Sequence, residues 1–319
     1  MDEAAVSSPH SLSEAARAHL TSAGEPMVLA KGEVLFHQGA AADAAYLVTK
    51  GQLEIITRIP GDDIARVSEI GPGEIVGEAA LLEDRPRSAT VRALADTSLL
   101  RVPQLRFASL LADGWAPAAV LVDALCQLVA RRIASGLARI VADDRFELSS
   151  LRQPGNCIAF AEPPNDLSPW LAGLPQLSTL VPHGAQLGAL GRWWKAPRGA
   201  LLATPGVMPD ALYVVIRGAL RSAFERPGGL EQLAIHGPGE VVGLSSLLTD
   251  VPDPLRIEAA EESLLLALGP ASLAPLRTGR APLGHALMRI AGHQLLRDQQ
   301  RVNRHLGRAA VLVRNRGAC

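Results

Sequence analysis

Short apolar runs separated by glycine-containing turns make up most of the chain between residues 26 and 102. Regularly spaced runs of β-branched and aromatic residues with turn residues between them predict antiparallel strands in a sandwich or barrel. Helical spacing surrounds this region. Residues 12–20 predict a short helix capped by Ser11 or Ser13, and Pro103 opens a helical stretch that reaches about Asp143, with a break near residues 114–117.

The same pattern occurs twice in the chain. Pairs of residues match at a constant spacing that shortens by one residue in a loop. The matched pairs are Gly32 and Gly199, Gly39 and Gly206, Asp43 and Asp210, Tyr46 and Tyr213, Gly51 and Gly218, then Gly77 and Gly243, Pro86 and Pro252, and Ala93 and Ala259. Such an internal repeat indicates two copies of one fold.

Composition narrows the class of protein only in part. The 319 residues suggest two domains, and 48% hydrophobic with 20% charged residues is a globular composition. A net charge of −1 does not indicate nucleic acid or an anionic membrane as a general partner. Cys126, Cys157 and Cys319 form no CxxC motif or Cys/His cluster, so neither a disulfide framework nor a zinc site is expected. With no signal peptide pattern and no span long enough for a bilayer, a cytoplasmic protein without cofactors is expected.

The stretch from Gly77 to Val91 combines the residue types that a sugar phosphate requires. Gly77 permits a close backbone approach, and the run from Ala79 to Leu82 predicts one helical turn whose first amides have no internal partner. Arg87 follows Pro86 and presents a planar charged fork that matches two phosphate oxygens. A carboxylate such as Glu78 is repelled beside a phosphate unless it accepts a hydrogen bond from a ribose hydroxyl.

This stretch closely resembles the phosphate-binding cassette of the cyclic-nucleotide-binding domain family, which includes catabolite activators and the protein kinase A regulatory subunits. The resemblance implies two β-jelly-roll domains in tandem, mainly β with flanking α, each followed by a helix. It also implies one bound cyclic AMP or cyclic GMP, with Glu78 on the ribose 2′-hydroxyl. Arg87, Ser88 and the amides of Ala79 and Ala80 would hold the cyclic phosphate. The full set of predicted ligand-binding residues is Gly77, Glu78, Ala79, Ala80, Arg87, Ser88, Ala89 and Thr90.

Three segments follow from the repeat and the resemblance. Residues 8–145 are expected to form a domain with an intact cassette, residues 146–168 a linker, and residues 169–319 a degenerate copy that ends in a basic amphipathic helix. We expect the tryptophans of the weakly patterned zone, Trp170, Trp193 and Trp194, to pack between domains.

The second copy keeps the glycines of the cassette and loses its anion-binding groups. Leu244 replaces Glu78, Asp253 replaces Arg87 and Pro254 replaces Ser88. An aspartate would repel a cyclic phosphate, so the second domain is expected to be structural or to bind a partner. Arg256 is expected to be a strand residue near Glu258, although a displaced phosphate ligand is the alternative.

No segment indicates what output the nucleotide controls. We find no helix-turn-helix, no kinase-inhibitor segment, and no nucleophile–base pair or metal cluster, so no catalytic residue is expected. The favoured hypothesis is a regulatory protein that signals to an unknown protein effector through rearrangement of the helix after Pro117. A protein-interaction scaffold that binds no nucleotide is the first alternative.

Arginines on the last helix leave a third class open, a DNA-binding regulator. Arg297, Arg301, Arg304 and Arg308 lie roughly opposite the apolar face of the segment from Leu295 to Val313. Such a stripe is typical of a nucleic-acid, membrane or acidic-protein contact, although a solvated face on a packed helix is the favoured interpretation.

Base identity and assembly are the last expectations. The positions on the long helix that read adenine in catabolite activators are here Gly136 and Leu137, so cyclic GMP read by Ser88 and Thr90 stays open beside cyclic AMP. An apolar stripe on residues 118–141 favours a homodimer through that helix. Its members are Leu121, Leu125, Leu128, Ile133, Leu137 and Ile140.

Overall fold

The computed structural model describes residues 11–58, 64–112, 117–142, 157–159, 166–226, 229–278 and 281–316. It divides into two compact units, Met1–Leu128 and Val129–Cys319. The boundary lies within a continuous helix, whereas the sequence places it after that helix; the predicted domain bounds stay a prediction. Most of the predicted linker lies outside the described residues. So do Gly61 and Asp62, where the sequence predicts a turn, and most of the helix break near residues 114–117.

The first unit contains a β-sandwich with helices on either side of it in sequence. Its sheets have the strand orders β1-β8-β3-β6 and β2-β7-β4-β5, and every recorded pairing is antiparallel. Its elements are α1 (Glu14–Ala23), β1 (Glu25–Leu29), β2 (Val34–Phe36), β3 (Ala44–Lys50), β4 (Leu53–Arg58), β5 (Ile64–Ile70), β6 (Ile75–Val76), α2 (Ala79–Leu82), β7 (Thr90–Ala93), β8 (Thr97–Pro103), α3 (Gln104–Ala112) and α4 (Ala118–Ala142).

Alternating inward side chains of both sheets form the core of this sandwich. Tyr46 and Val48 from β3 meet Leu53 from β4 and Val91 from β7 in one buried cluster. The first helix begins where the sequence predicts it, because the Ser13 hydroxyl accepts a hydrogen bond from the Ala16 amide at 3.3 Å.

The second unit repeats this architecture. Its sheets have the orders β15-β12-β17-β10-β9 and β11-β16-β13-β14. Its elements are β9 (Ile158–Ala159), α5 (Ser168–Ala172), a 3₁₀ helix (Pro175–His183), α6 (Gly184–Leu190), β10 (Arg192–Ala196), β11 (Leu201–Ala203), β12 (Leu212–Arg217), β13 (Leu220–Arg226), β14 (Gly229–His236), β15 (Val241–Val242), α7 (Leu244–Thr249), β16 (Arg256–Ala259), β17 (Ser263–Leu268), α8 (Pro270–Thr278) and α9 (Pro282–Arg316).

Two antiparallel sandwiches with flanking helices confirm the predicted fold. The expected role of the tryptophans is wrong. Trp193 is buried on β10 and Trp194 packs partly buried against the core of the second sandwich, so these side chains belong to the second unit's own packing. Trp170 stands 6.3 Å from Trp193 between ring centroids, also within the second unit.

The apolar stripe on α4 is buried within the single chain. Its six predicted members, from Leu121 to Ile140, are no more than 4% exposed. The expected homodimer stays a prediction, although the stripe that suggests it is already covered within the single chain. Dimerisation through this face would require the stripe to be uncovered first.

The repeat also preserves a crowded turn. Gly51 and its counterpart Gly218 have positive φ angles of 90° and 86°. A Cβ at Gly51 would lie 2.5 Å from the Asp96 carbonyl oxygen, and a Cβ at Gly218 would lie 2.5 Å from the Glu262 carbonyl oxygen. Only glycine fits such a position, because the left-handed backbone and the contact with a main-chain atom both exclude a side chain.

We therefore expect Gly51→Ala to destabilise the first unit by roughly 3 kcal/mol or more, since left-handed strain and overpacking add. The matched control is Gly32→Ala, where φ is 85° and a new Cβ would have nothing within 4 Å. The control should cost only about 1–2 kcal/mol from backbone strain. Urea unfolding of both variants measures the difference, and equal costs would show that the contact with Asp96 is not tight.

Candidate functional site

The predicted cassette begins at a glycine with a left-handed backbone. Gly77 follows β6 with φ of 75°, and the buried Glu78 precedes the single helical turn of α2. The Ala80 amide donates to the Gly77 carbonyl oxygen at 3.1 Å, which closes this turn. Gly77, Glu78, Ala79 and Ala80 thus form the predicted turn, but the Ala80 amide, which the sequence predicts to have no internal partner, donates within the turn.

Arg87 is brought to the same place by its backbone. Its amide donates to the Ala40 carbonyl oxygen at 2.8 Å, and its carbonyl oxygen accepts from the Gly39 amide at 2.9 Å. Its side chain is only 3% exposed. A Cβ at Gly77 would lie 2.6 Å from Arg87 Nη1, so the glycine provides the space that the guanidinium occupies.

The guanidinium of Arg87 lies against two aromatic rings. Its carbon is 4.1 Å from the centroid of Phe36 and 5.7 Å from that of Tyr46, which is cation–π geometry. Nη1 lies 3.5 Å from the Gly77 carbonyl oxygen, and Nε is buried without a hydrogen-bond partner in the described part of the chain. A buried donor without an acceptor costs free energy, and an anionic ligand could supply the acceptor.

Asp43 provides the counter-charge of this site. One carboxylate oxygen accepts from Arg87 Nη2 at 3.0 Å and the other from Arg101 Nη2 at 2.8 Å. Burial raises the pKa of Asp43, but the hydrogen bond from Arg101 and the charges of Arg101 and Arg87 outweigh burial and hold that pKa below its ordinary value. Asp43 is therefore an anion at neutral pH, placed at the guanidinium that the sequence assigns to phosphate.

The remaining predicted residues lie at the edge of this arrangement. Ser88 is exposed, and Ala89 and Thr90 are partly buried. The Thr90 hydroxyl oxygen accepts a hydrogen bond from the Gln38 amide at 2.9 Å, so one of its lone pairs is already used.

Sequence reasoning did not assign Asp43, Phe36, Tyr46 and Arg101 to the site. Asp43 and Tyr46 stand out in the sequence only as positions shared by both repeats. Such sharing is typical of a scaffold residue as well as of a site residue. Arg101 follows from strand pairing, since it lies opposite Tyr46 across β3 and β8. That register cannot be read from the sequence alone.

The second unit keeps the backbone of the site and reverses its charge. The Gly206 amide donates to the Asp253 carbonyl oxygen at 2.9 Å, the same bond that Gly39 makes to Arg87 in the first unit. Gly243 has φ of 92°, and Leu244 then begins α7 where Glu78 precedes α2. The alignment of Arg87 with Asp253 therefore holds in three dimensions.

The carboxylate of Asp253 has its own hydrogen bonds. It accepts from the Ser245 hydroxyl, while the Asp253 amide donates to the Ser246 hydroxyl oxygen at 3.1 Å. Burial raises the pKa of Asp253, and the nearby carboxylate of Asp298 raises it further, against the lowering effect of the two serines. This site offers an anion a carboxyl group where the first site offers a guanidinium.

Two alternatives for arginines are resolved by their partners. Arg256 pairs with Glu258 at 2.7 Å and with Glu225 at 3.2 Å, as expected of a strand arginine and not of a displaced phosphate ligand. Arg301 of α9 pairs with Glu240 at 2.9 Å and with Asp298 at 2.8 Å. The predicted basic stripe is therefore partly committed to ion pairs inside the second unit; the side chains of Arg308, Arg314 and Arg316 lie outside the described residues.

Other kinds of site find little support where side chains are described. The described residues hold no group of three or more His, Cys, Asp or Glu side chains that could bind a metal ion. Within the same ranges, every helix is too short or too polar to cross a membrane.

Comparison with known proteins identifies the family of the chain. The chain matches the cyclic nucleotide-binding domain family over residues 26–113 and 193–278, which together exceed half of its length. It is 39% identical over 92 residues to lysophospholipase nte1 of Neosartorya fischeri, and this stretch covers 29% of the chain and 6% of the relative. It is 37% identical over 94 residues to the cAMP-dependent protein kinase regulatory subunit of Dictyostelium discoideum, covering 28% of the chain and 29% of the relative.

These curated relatives are matched over a small part of their own length. Among solved structures, the regulatory domain of Toxoplasma gondii PKA with cAMP is similar over 82% of this chain and 84% of that chain, at 19% identity and a TM-score of 0.29.

The charge at Asp43 yields a test that needs no ligand. We expect Asp43→Asn to destabilise the protein at pH 7 by about 0.5–1 kcal/mol, a value kept small because the carboxylate is mostly exposed. Asp210→Asn is the matched control. Asp210 accepts from the neutral Tyr213 hydroxyl at 2.7 Å, its ion pair with the exposed Arg192 is long at 4.0 Å, and the residue of its unit that corresponds to Arg87 is Asp253. The control should stay within about 0.5 kcal/mol of the parent.

The pH dependence of the free energy of unfolding identifies the origin of the difference between Asp43→Asn and its control. Because the pKa of Asp43 is lowered in the folded protein, its contribution is complete above the ordinary value of 3.8 and is lost as pH falls through the lowered value. Urea unfolding should show a constant gap between parent and Asp43→Asn from pH 7 to 4 that narrows in stronger acid. Equal costs for Asp43→Asn and Asp210→Asn at pH 7 would contradict the ion pairs of Asp43 with Arg101 and Arg87.

Proposed function

The chain belongs to the cyclic nucleotide-binding domain family, and we propose that it is a regulatory receptor that binds one cyclic AMP or cyclic GMP per chain in its first unit. The observation that carries this proposal is the buried guanidinium of Arg87, whose Nε has no partner among the described residues. A positive group of fixed position that still has a donor to satisfy suits a singly charged cyclic phosphate.

Each predicted residue then has a role in the proposed complex. Arg87 and Ser88 hold the cyclic phosphate, together with the amides at the start of α2, and Glu78 accepts the ribose 2′-hydroxyl. Glu78 is buried at the first position before α2, where a carboxylate is tolerable because helix N-termini favour negative charge. Ala89 leaves its surroundings uncrowded, and Thr90 borders the site.

Asp43 makes binding an exchange of anions at Arg87. Without ligand the guanidinium is balanced by Asp43, which Arg101 also holds. A phosphate that approaches Arg87 competes with Asp43, and Arg101 keeps the displaced carboxylate compensated. Binding therefore does not leave either charge unpaired, which would be costly in a partly dry site.

The second unit lacks the residues that this role requires. Asp253 is partly buried at the position of Arg87, and Leu244 offers no acceptor for a ribose hydroxyl. We therefore infer a single nucleotide site per chain and a second unit that serves structure or regulation.

A regulatory role fits the relatives better than catalysis does. The Dictyostelium relative is named as a regulatory subunit of a cAMP-dependent kinase, and the lysophospholipase is matched over only 6% of its length. We propose a cytoplasmic protein that has no catalytic residues of its own and signals to a protein effector through α4, the helix that follows the first sandwich.

Arg87→Ala is the direct test of the site. Loss of the guanidinium should weaken cyclic nucleotide binding by about 2–4 kcal/mol, because the phosphate charge would lie uncompensated beside Glu78. Isothermal titration calorimetry with cyclic AMP and cyclic GMP measures both affinity and stoichiometry. The matched control is Arg85→Ala, which removes the same side chain two residues away, where it pairs with Glu83 at 2.6 Å.

Parent protein and Arg85→Ala should bind one nucleotide per chain with similar affinity. Two equivalent sites per chain would contradict the assignment of the second unit. No binding by the parent would favour the interaction-scaffold hypothesis, and unchanged binding by Arg87→Ala would show that the phosphate lies elsewhere.

The choice of base is tested at Ser88. Its exposed hydroxyl is available to the 2-amino group of guanine, whereas the Thr90 hydroxyl already accepts from Gln38. If Ser88 reads guanine, Ser88→Ala should lower affinity for cyclic GMP more than for cyclic AMP, by up to about tenfold for one lost hydrogen bond. Equal losses for the two nucleotides would limit Ser88 to the phosphate.

A further inference from the structure

The site of the second unit is nearly filled by the protein itself. A cavity of only about 40 Å³ remains beside Asp253. Pockets that bind small-molecule ligands measure about 300–1,000 Å³, so a nucleotide does not fit into this cavity. Two helices line this cavity beside the sandwich, α4 with Ile133 and Leu137 and α9 with Asp298, Arg301 and Val302.

One of these helices is the C-terminal part of α4. From Val129 onward α4 belongs to the second unit, and Ile133 and Leu137 are 2% and 0% exposed. These two side chains line the cavity on the same helical face, since they are four residues apart. Their apolar surface thus covers the place that Asp253 marks as the counterpart of the phosphate site.

Gly136 lets α4 approach the other covering helix closely. A Cβ at this position would lie 2.5 Å from Val302 Cγ1 of α9 and 3.7 Å from Leu306 Cδ1. Glycine in the middle of a helix is unfavourable compared with alanine, so its presence here needs a reason. The close crossing with Val302 is such a reason.

The other covering helix, α9, is fixed by an ionic cluster that needs no ligand. Arg301 donates to both carboxylate oxygens of Glu240, at 2.9 and 3.0 Å, and to Asp298 at 2.8 Å. Its Nη1 also lies 3.2 Å from His236 Nδ1. Val302, next to Arg301, is 1% exposed and faces Gly136. The partner surface for α4 is therefore held in place by pairs within the second unit.

From these contacts we propose that the degenerate site of the second unit is a docking site for residues 129–142 of α4, with Gly136 against Val302 as its central contact. The occupant is a helix of this chain in place of a nucleotide. Because α4 is continuous from Ala118 to Ala142, docking also restrains its N-terminal half, where Leu121 and Leu125 are buried. A rigid helix can transmit such a restraint between two sites.

Regulation of the first site follows from this restraint, and this part rests on the proposed function. If nucleotide binding requires α4 to move, docking of α4 opposes nucleotide binding. A variant that weakens the docking contact should then bind nucleotide more tightly.

Gly136→Ala tests the proposed docking contact. The direction of its effect on the stability of α4 distinguishes a close contact with Val302 from a simple change in helix propensity. If Gly136 were not in close contact, alanine would stabilise α4 through its higher helix propensity. If Val302 packs against it, the new Cβ should loosen the contact. Hydrogen exchange of residues 129–142 and of α9 should then become at least about threefold faster than in the parent.

Two further variants serve as controls. Ser135→Ala introduces the same residue at the neighbouring, exposed position and should leave exchange at or below the rate of the parent. Gly136→Ala combined with Val302→Ala removes the clashing methyl group and should restore slow exchange, which a double-mutant cycle quantifies. Slower exchange in Gly136→Ala than in the parent would overturn the proposal. Should Gly136→Ala alone fail to fold, recovery in the double variant supports the dock and its failure overturns it.

Titration of the same variants with cyclic AMP tests the regulatory part. We expect Gly136→Ala to bind about three- to tenfold more tightly than the parent, and the double variant to bind like the parent. Unchanged affinity together with faster exchange would overturn the coupling. If the parent binds neither cyclic AMP nor cyclic GMP, the proposed function fails while the exchange measurements still decide the dock.

Discussion

A buried guanidinium requires an anion, and the first unit is arranged around that requirement. Arg87 is held by its backbone, by two aromatic rings and by the space at Gly77, so its charge cannot move to water. Asp43 satisfies part of the requirement and Nε is left over. The free-energy cost of burying this guanidinium arises on folding, before any ligand binds. An anionic ligand can therefore gain from pairing with a charge that is fixed, desolvated and only partly compensated.

The two units show how one backbone supports opposite chemistry. Both retain the left-handed glycine before the short helix and the backbone bond that positions the following cassette residue. At that residue one unit carries a guanidinium and the other a carboxyl. The first has a guanidinium nitrogen that lacks an acceptor among the described residues, whereas helices line the place of the second and its carboxylate accepts from a serine hydroxyl. Conservation of the frame without its charge explains why the second unit is better understood as a partner surface than as a second receptor.

Much of this could be predicted from the sequence because it is local. Each strand run, each glycine turn and the cassette depends on residues that are close together in the sequence. The repeat aligns Arg87 with Asp253 from the sequence alone. What could not be predicted depends on register and on packing between distant segments. The Asp43–Arg101 pair requires the pairing of β3 with β8, and the burial of α4 requires knowing that Val302, far along the chain, crosses Gly136. An apolar stripe predicts that a face is covered but not what covers it, so the homodimer expected from this stripe stays a prediction.

The structure of the chain crystallised with a cyclic nucleotide tests the central claim most directly. The account predicts one ligand, in the first unit, with a phosphate oxygen within hydrogen-bonding distance of Arg87 Nε and with Asp43 retained by Arg101. A ligand beside Asp253, or a ligand in the first unit that leaves Arg87 Nε without a phosphate contact, would contradict it.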